Sequence, residues 1–460
     1  MKSLSDPSRA LSVGLAKIRT EFDVPDGFPS AVMAAAEAAA KRIPNAHADR
    51  TAMPFVTLDP ASSTDLDQAF SIEESGSDLL LHYAIADVAW FVEDGDAVDL
   101  EAWARGETQY LPDGRAGLYP PVIAEGAASL LPDGPRPAVV FTVRVAVDGA
   151  VKLDGAERAI IQSRAKLAYD SVRASDVPTG FAEIARRMAT NEERRGASRV
   201  DPPEQEVQRL PDGTFQLAFR PQLQSEKDNA ALSLAANMAI ADAMLAQRTG
   251  LFRVMAAPDA SAVQRLRNAA RALGLSWPAS TNLRDYQRTL DAGNKQQAAL
   301  MLEIRHAGSG ASYQPFQDGV VPWHEAMAAT YAHATAPLRR LADRYVVRCA
   351  LAIANGQPVP RTVTDAFARL PKVMGRADAR ASRITHAAID LAEAVMLKGR
   401  EGDTFKAVVT DVADQRVRVQ LCDMPIVANV KASGPSQGDG LRLRLVSADP
   451  DQRSIVFEPA

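Results

Sequence analysis

Phe55-Val56-Thr57-Leu58-Asp59-Pro60-Ala61-Ser62-Ser63-Thr64-Asp65-Leu66-Asp67-Gln68-Ala69-Phe70 sets three carboxylates within nine residues, between two apolar runs. Residues 55–58 alternate and are rich in β-formers, which predicts a strand. Pro60 has no backbone N–H to continue a ladder, so the strand ends at Asp59. Residues 61–64 are loop chemistry, and Asp65 and Asp67, two apart, share a direction if the chain re-extends toward Phe70. Unpaired like charges this close push each other's pKa upward unless a divalent cation compensates them. Oxygen-only ligands favour Mg2+ or Mn2+ over zinc. The same residues also fit a solvated Asp/Ser turn or a Ca2+ loop, although the Gly and terminal Glu of an EF-hand are missing.

Outward from this stretch, 460 residues and 49.3 kDa exceed the usual size of a single core, so a large domain with one or two small satellites is expected. With 47% hydrophobic and 24% charged residues the composition is that of a globular chain and excludes disordered and fibrous classes. No membrane segment is expected. The opening Met1-Lys2-Ser3-Leu4-Ser5-Asp6-Pro7 has no apolar signal core, and Asn237 and Asp242 interrupt the apolar stretch 230–246. Cys349 and Cys422 stand far apart without metal-ligand spacing, which argues against disulfides and zinc ribbons and for a reducing cytoplasm. The net charge of -5 argues against a coat of basic residues for duplex binding, so any nucleic-acid path is local. Basic residues cluster at Arg339, Arg340, Arg344 and Arg348, and at Arg376, Arg380 and Arg383, as solvated helix faces or as a phosphate track.

Three regions follow. Residues 1–51 hold candidate helices at 11–22 and 30–42 around the breaker-rich 23–29, either a helix-turn-helix module or a helical lead-in. Residues 52–398 mix strands near 79–88 and 138–147 with Ala-rich helices at 228–248, 259–273, 325–354 and 374–398. Strands early and helices late imply an α+β domain, and no Gly-x-Gly-x-x-Gly opens a helix to suggest a Rossmann fold. Residues 399–460 carry five short β-type runs, at 404–410, 416–421, 426–430, 441–446 and 454–457, most economically a small all-β barrel of OB type.

The motif Thr57-Leu58-Asp59 through Asp65-Leu66-Asp67 resembles the metal-binding signature of the ribonuclease II / ribonuclease R (RNB) family of 3′→5′ exoribonucleases. Other stretches agree in the same order. His82-Tyr83-Ala84-Ile85-Ala86-Asp87-Val88-Ala89-Trp90-Phe91-Val92 is similar to the family's second strand block, and Tyr110-Leu111-Pro112, Leu118-Tyr119-Pro120, Ser129-Leu130-Leu131-Pro132 and Arg136-Pro137-Ala138 to its proline-punctuated loops. Ser163-Arg164-Ala165-Lys166-Leu167-Ala168-Tyr169 resembles a further block, and Thr335-Ala336-Pro337-Leu338-Arg339-Arg340 resembles its Thr-Ser-Pro-Ile-Arg-Arg element. The resemblance runs from about residue 52 to the C-terminus. It departs at Gln68, where the family has another Asp, and at Ala230 and Ala231, where family members carry acidic residues that approach the substrate ribose. Glu226 or Asp228 could compensate there. The family's cold-shock domains are also expected to be absent, since fewer than about sixty residues precede the motif, leaving affinity to barrel and channel.

What the resemblance implies is a hydrolytic exoribonuclease that shortens single-stranded RNA to nucleoside 5′-monophosphates by two-metal-ion catalysis. The alternative is a weak or silent RNA-binding member of the fold. Asp59, Asp65, Asp67 and, more weakly, Gln68 would hold Mg2+, with Mn2+ as a substitute, and Asp67 is the residue whose loss costs most. Arg339 is the phosphate clamp, or alternatively an i,i+4 partner for Asp343, with Arg340 on the same phosphate path. Tyr110, and less strongly Tyr169, would stack on bases, the other reading being a buried loop tyrosine. His82 and His333 read as structural. In the barrel, Arg416 and Arg418 share one face, near Lys406 and Lys431, as a modest basic strip for RNA backbone. The expected protein is a monomer with no obligate protein partner.

Overall fold

The structure is a computed structural model and describes residues 9–197, 204–210, 214–220, 222–291, 294–307, 310–413, 416–432, 434–435 and 438–460. Residues 1–8, on which the reading of the signal core falls, lie outside the described residues. Two helices open the chain, α1 (Ala10–Glu21) and α2 (Ser30–Ala40), close to their expected bounds. They bury their apolar faces in different cores. Leu11, Leu15 and Ile18 of α1 join a cluster with Ile384, Ala388 and Leu391, while Val32, Ala36 and Ala39 of α2 join the main core. The approach of α1 is close enough that a Cβ at Gly14 would stand 2.5 Å from a methyl of Leu391.

The main domain is built on β1 (Thr57–Asp59), β2 (Gln68–Ser75), β3 (Asp78–Ala86), β4 (Arg136–Val145), β5 (Val151–Ile161) and β6 (Lys166–Ala168). The sheet runs β5-β4-β3-β2 with antiparallel neighbours, and Ala48–Asp49 adds a short parallel edge to β5. Gly76, at φ 64°, fits the two-residue turn between β2 and β3. β1 pairs in parallel with β6 and touches β2 through the Val56–Phe70 bridge. Helix α3 (Gln224–Ala246) packs on β4 and β5. Among the described residues it alone has the length and apolarity to cross a bilayer, and 67% of that stretch is buried within the protein.

Two expected helices come out differently. The run 325–354 is helical as an α-helix only from Leu341, in α4 (Leu341–Ala354). Before it, the N–H groups of Ala334, Ala336 and Leu338 are taken by side-chain oxygens of Asn237, Asp343 and Asp67, so they are not available to a helical ladder. Conversely, the helix expected at 374–398 starts earlier: α5 spans Arg361–Leu397 and passes through Pro371. Val363, Phe367 and Leu370 before the proline lie in the main core, and Ile384, Ala388 and Leu391 after it in the core shared with α1. Burial on both sides outweighs one lost hydrogen bond.

All five β-runs of the last region form: β7 (Thr404–Ala413), β8 (Arg416–Leu421), β9 (Val427–Lys431), β10 (Gly440–Asp449) and β11 (Ser454–Pro459). They pair antiparallel in the order β9-β8-β7-β10-β11, and β9 and β11 lie close enough to make a nearly closed barrel. The molecule is thus a mixed helix-and-strand domain followed by an OB-type barrel. Leu397 at the end of α5 enters the barrel core with Phe405, Val419 and Leu443.

A buried carboxylate fastens this joint. Glu393 of α5 is 4% exposed, and its Oε1 accepts from Gln205 Nε2 at 2.7 Å and from the Val427 N–H at 2.9 Å. Burial pushes its pKa up from 4.5 to about 7, against the two hydrogen bonds. A carboxyl raised on folding favours the protonated native state, so its contribution is full below pH 4.5 and is lost as pH rises to about 7. Urea unfolding of the wild type should therefore lose stability, a few kcal/mol at most, across that window. In Glu393→Gln this component should vanish, leaving a flatter profile.

Candidate active site

β1 ends at Asp59 because Pro60 follows, and the loop to β2 is then pinned from outside. Lys166 of β6, opposite Thr57, donates from Nζ to the carbonyls of Ala61 at 2.8 Å and Ser63 at 2.6 Å. The Ser129 hydroxyl donates to the Thr64 carbonyl and accepts from the Leu66 N–H. The loop therefore does not re-extend before Gln68, the first residue of β2, and Asp65 and Asp67 do not share a strand face. Asp65 turns to Arg115, whose Nη1 lies 2.5 Å from Oδ1. Asp67 turns inward, 5% exposed, where Oδ1 accepts from the Leu338 N–H at 2.7 Å and Oδ2 lies 3.4 Å from Arg339 Nε.

Burial pushes the Asp67 carboxyl up to about 7, against the pull of Arg339 and the Leu338 N–H, with the charge of Asp65 adding to the rise. Asp59 rises to about 6 for the same first cause, with Arg339 and Lys166 opposing and Asp65 reinforcing. Its Oδ2 is buried without a hydrogen-bond partner among the described residues. An orphaned oxygen beside under-compensated carboxylates is chemistry that suits a hard cation. The expected convergence of three carboxylates is nevertheless looser than a finished cage. Among the described residues no three His, Cys, Asp or Glu side chains gather into a metal-holding group, and Asp65 is paired with Arg115.

Gln68 presents its amide oxygen to the Tyr83 hydroxyl at 2.9 Å and the Ser233 hydroxyl at 3.4 Å, so it is engaged by neutral partners beneath the carboxylates. Of the expected arginine cluster only Arg339 faces the acids, with 43% of its side chain exposed. The partner of Asp343 is Arg340, through Nε at 2.9 Å and Nη2 at 2.7 Å, not Arg339. Both arginines precede the first turn of α4, so helical i,i+4 spacing does not apply to Arg339. Arg340 thus spends its fork inside the protein rather than on a phosphate path. Arg344 is buried against Asp99, and Arg348 pairs with Asp94. In the second cluster, Arg380 donates to the Arg105 carbonyl and Arg383 lies over the Phe22 ring.

Tyr110 is 53% exposed and lies within electrostatic reach of Arg339, Asp65 and Asp67, so a flat ring borders the site in the open. The Tyr169 hydroxyl is held by Asn229 Nδ2 at 2.9 Å beside Asp59. Arg416 and Arg418 share the outer face of β8, with Arg416 paired across the ladder to Lys431; they belong to the barrel and not to the acidic cluster. His333 is half-buried and bonded to the Tyr313 hydroxyl at 2.9 Å, and desolvation and neighbouring arginines hold its pKa well below 6.5. Ala230 and Ala231 offer nothing polar. Glu226 is committed to Arg220 and the Leu223 N–H, and Asp228 accepts from Gln224, so neither stands free in place of the missing acids.

Lys166, Arg115 and Tyr83 received no role from the sequence. A further set had a readable signal: Ser225, Asn229, Ser233 and Asn237 recur every fourth residue on α3 and so share one face. They contact in turn the Tyr169 carbonyl, the Leu58 carbonyl with the Tyr169 hydroxyl, the Gln68–Tyr83 pair, and the Ala334 N–H.

The description "RNB domain" fits residues 48–355, two-thirds of the chain. The chain belongs to the RNB family. Residues 403–460 match the RNase II-type exonuclease C-terminal S1 domain. Ribonuclease R of Aquifex aeolicus is 24% identical, over 95% of this chain and 69% of its own length. Exoribonuclease 2 of Cronobacter sakazakii is 29% identical over 84% of this chain and 62% of its own. About a third of each relative therefore lies beyond the comparison. Mycoplasma genitalium RNase R, solved in complex with ribose-methylated single-stranded RNA, superposes with a TM-score of 0.86 at 18% identity, covering 98% of this chain and 78% of that one.

The engagement of Gln68 makes its contribution measurable. Gln68→Asp adds a negative charge beside Asp67 and should lower, several-fold, the Mg2+ concentration that gives half-maximal RNA trimming. An unchanged metal titration would show that position 68 lies out of a cation's reach.

Proposed function

We propose that this RNB-family chain is a hydrolytic 3′→5′ exoribonuclease that trims single-stranded RNA to nucleoside 5′-monophosphates. The observation that carries the reading is the junction of Asp67 with Leu338 and Arg339: a buried carboxylate whose backbone anchor places a half-exposed guanidinium directly beside it. Asp59, Asp65 and Asp67 would hold Mg2+, or Mn2+ in its place, in the two-ion arrangement the family resemblance implies. Such ions supply Lewis-acid activation of the attacking water and of the leaving oxygen.

The chain's own groups do the rest. Arg339 offers a planar fork to non-bridging phosphate oxygens, where charge builds in the transition state. Tyr110 gives the terminal base a flat exposed surface, while Tyr169, fixed by Asn229, lines the Asp59 side. Arg340, contrary to its expected place on the phosphate path, braces the segment that carries Arg339. The strip of Lys406, Arg416, Arg418 and Lys431 binds backbone weakly and in a salt-sensitive way. We place the protein in the reducing cytoplasm as a monomer, which accords with free Cys349 and Cys422.

A second reading, a silent RNA-binding member, draws on Gln68 and on the capture of Asp65 by Arg115. End-labelled single-stranded RNA incubated with Mg2+ or Mn2+ separates the two. The exonuclease gives stepwise 3′ trimming that stops in Asp67→Asn and falls about 10^2- to 10^3-fold in Arg339→Ala, as loss of a transition-state donor does. RNA binding without product at any metal concentration would leave the silent reading.

A further inference from the structure

On the Asp65 side of the acidic cluster lies a cavity of about 280 Å3. Asp65, Arg115 and Leu338 line it from the main domain, and Asp26, Phe28 and Met33 line it from the stretch that joins α1 to α2 and opens α2. We propose that this cavity receives the nucleoside 5′-monophosphate released at each cleavage, so that the N-terminal segment supplies a wall of the product site. The inference rests on the exonuclease reading and adds a site to it.

The first argument is position. Leu338 is the residue whose N–H anchors Asp67, and it precedes Arg339, so the cavity begins where the scissile phosphate is held. Hydrolysis joins the water oxygen to phosphorus, breaks the P–O3′ bond and leaves a proton on O3′ of the shortened chain. The 5′-phosphate stays with the released nucleotide. The released nucleotide is the one whose base lay on Tyr110, and it must clear that surface before the new terminal base of the shortened chain can take it, so it needs a berth elsewhere around the cluster.

Size and chemistry agree with this. Small-molecule sites run from roughly 300 Å3 upward, so a cavity of about 280 Å3 suits one nucleotide and not an oligomer. Phe28, Met33 and Leu118 give an apolar surface for a base. The Phe28 ring is itself fixed, because Arg105 lies 3.8 Å over its centroid and is tied to Glu101 and to the carbonyls of Gly117 and Gly27. Arg115 supplies the phosphate contact. Its guanidinium is shared between Asp65, at 2.5 Å, and Glu125, at 2.9 Å, so it can turn from the first toward a phosphate while the second still holds it. Asp26 also lines the cavity, and its negative charge works against a phosphate there, which makes it a sensitive position to change.

The test is calorimetric titration of the full chain with AMP and with adenosine, without RNA, for wild type, Met33→Trp, Asp26→Lys and Arg115→Ala. Wild type should bind AMP more tightly than adenosine, and Arg115→Ala should lose that preference. Met33→Trp should weaken AMP about tenfold, as overfilling an apolar pocket does. Asp26→Lys, at an exposed position, should tighten AMP several-fold at low salt and lose the gain at high salt. Equal AMP affinity in wild type and Asp26→Lys overturns the proposal even where Met33→Trp fails to fold. So does absence of AMP binding in a wild type that trims RNA, which leaves the exonuclease reading intact. The expected AMP pattern in a protein that trims no RNA would keep the mononucleotide site and remove the exonuclease.

Discussion

The site depends on the hydrogen bond from the Leu338 N–H to the buried Asp67 carboxylate. A carboxylate taken out of water must find donors or a counter-charge, and here one main-chain N–H and one arginine answer it. The consequence reaches beyond the residue. Residues 334–338 are held in a non-helical path by Asn237, Asp343 and Asp67, each receiving a different backbone N–H. That path delivers Arg339 to the acids and turns Arg340 back onto Asp343. One loop thereby couples the metal-type motif near residue 60 to the arginine motif near residue 340.

Helix α3 is the second member of this arrangement. Its apolar residues fill the core against β4 and β5, yet the stripe of Ser225, Asn229, Ser233 and Asn237 cannot be buried unpaired. Each finds its partner on a different piece of the site, so the register of the helix is fixed against the end of β1, against Gln68 and Tyr83, and against the arginine loop. A helix of uniformly apolar residues would pack as tightly and specify less.

How far the site was legible follows from the range of the interactions concerned. The barrel runs and the end of β1 at Asp59 are local matters of β-formers, turn residues and a proline, and these read directly. The Ala-rich run 325–354 misleads because helix propensity is local, whereas the acceptors that unwind residues 334–338 come from positions 67, 237 and 343. The helix expected at 374–398 errs in the opposite sense, since it runs back through Pro371 to Arg361 and the two cores that bracket the proline are unseen in sequence. The exchange of roles between Arg339 and Arg340 has the same origin: i,i+4 spacing carries meaning only where a helix has begun, and α4 begins at Leu341.

The charge pattern explains why the acids stand partly apart. Asp59, Asp65 and Asp67 cannot all ionise at close quarters in a buried place without compensation, and the fold offers three cations to share among them: Lys166, Arg115 and Arg339. Asp65 pairs with Arg115, which Glu125 also holds, and Asp67 is answered by Arg339 together with the Leu338 N–H. Asp59 is left with an unpaired oxygen and only longer-range help from Arg339 and Lys166. Gln68, neutral and satisfied by two hydroxyls, adds no further repulsion. A family-type Asp at that position would have lacked a cation of its own, so the neutral residue lets the acidic cluster pack around the charges of Lys166, Arg115 and Arg339.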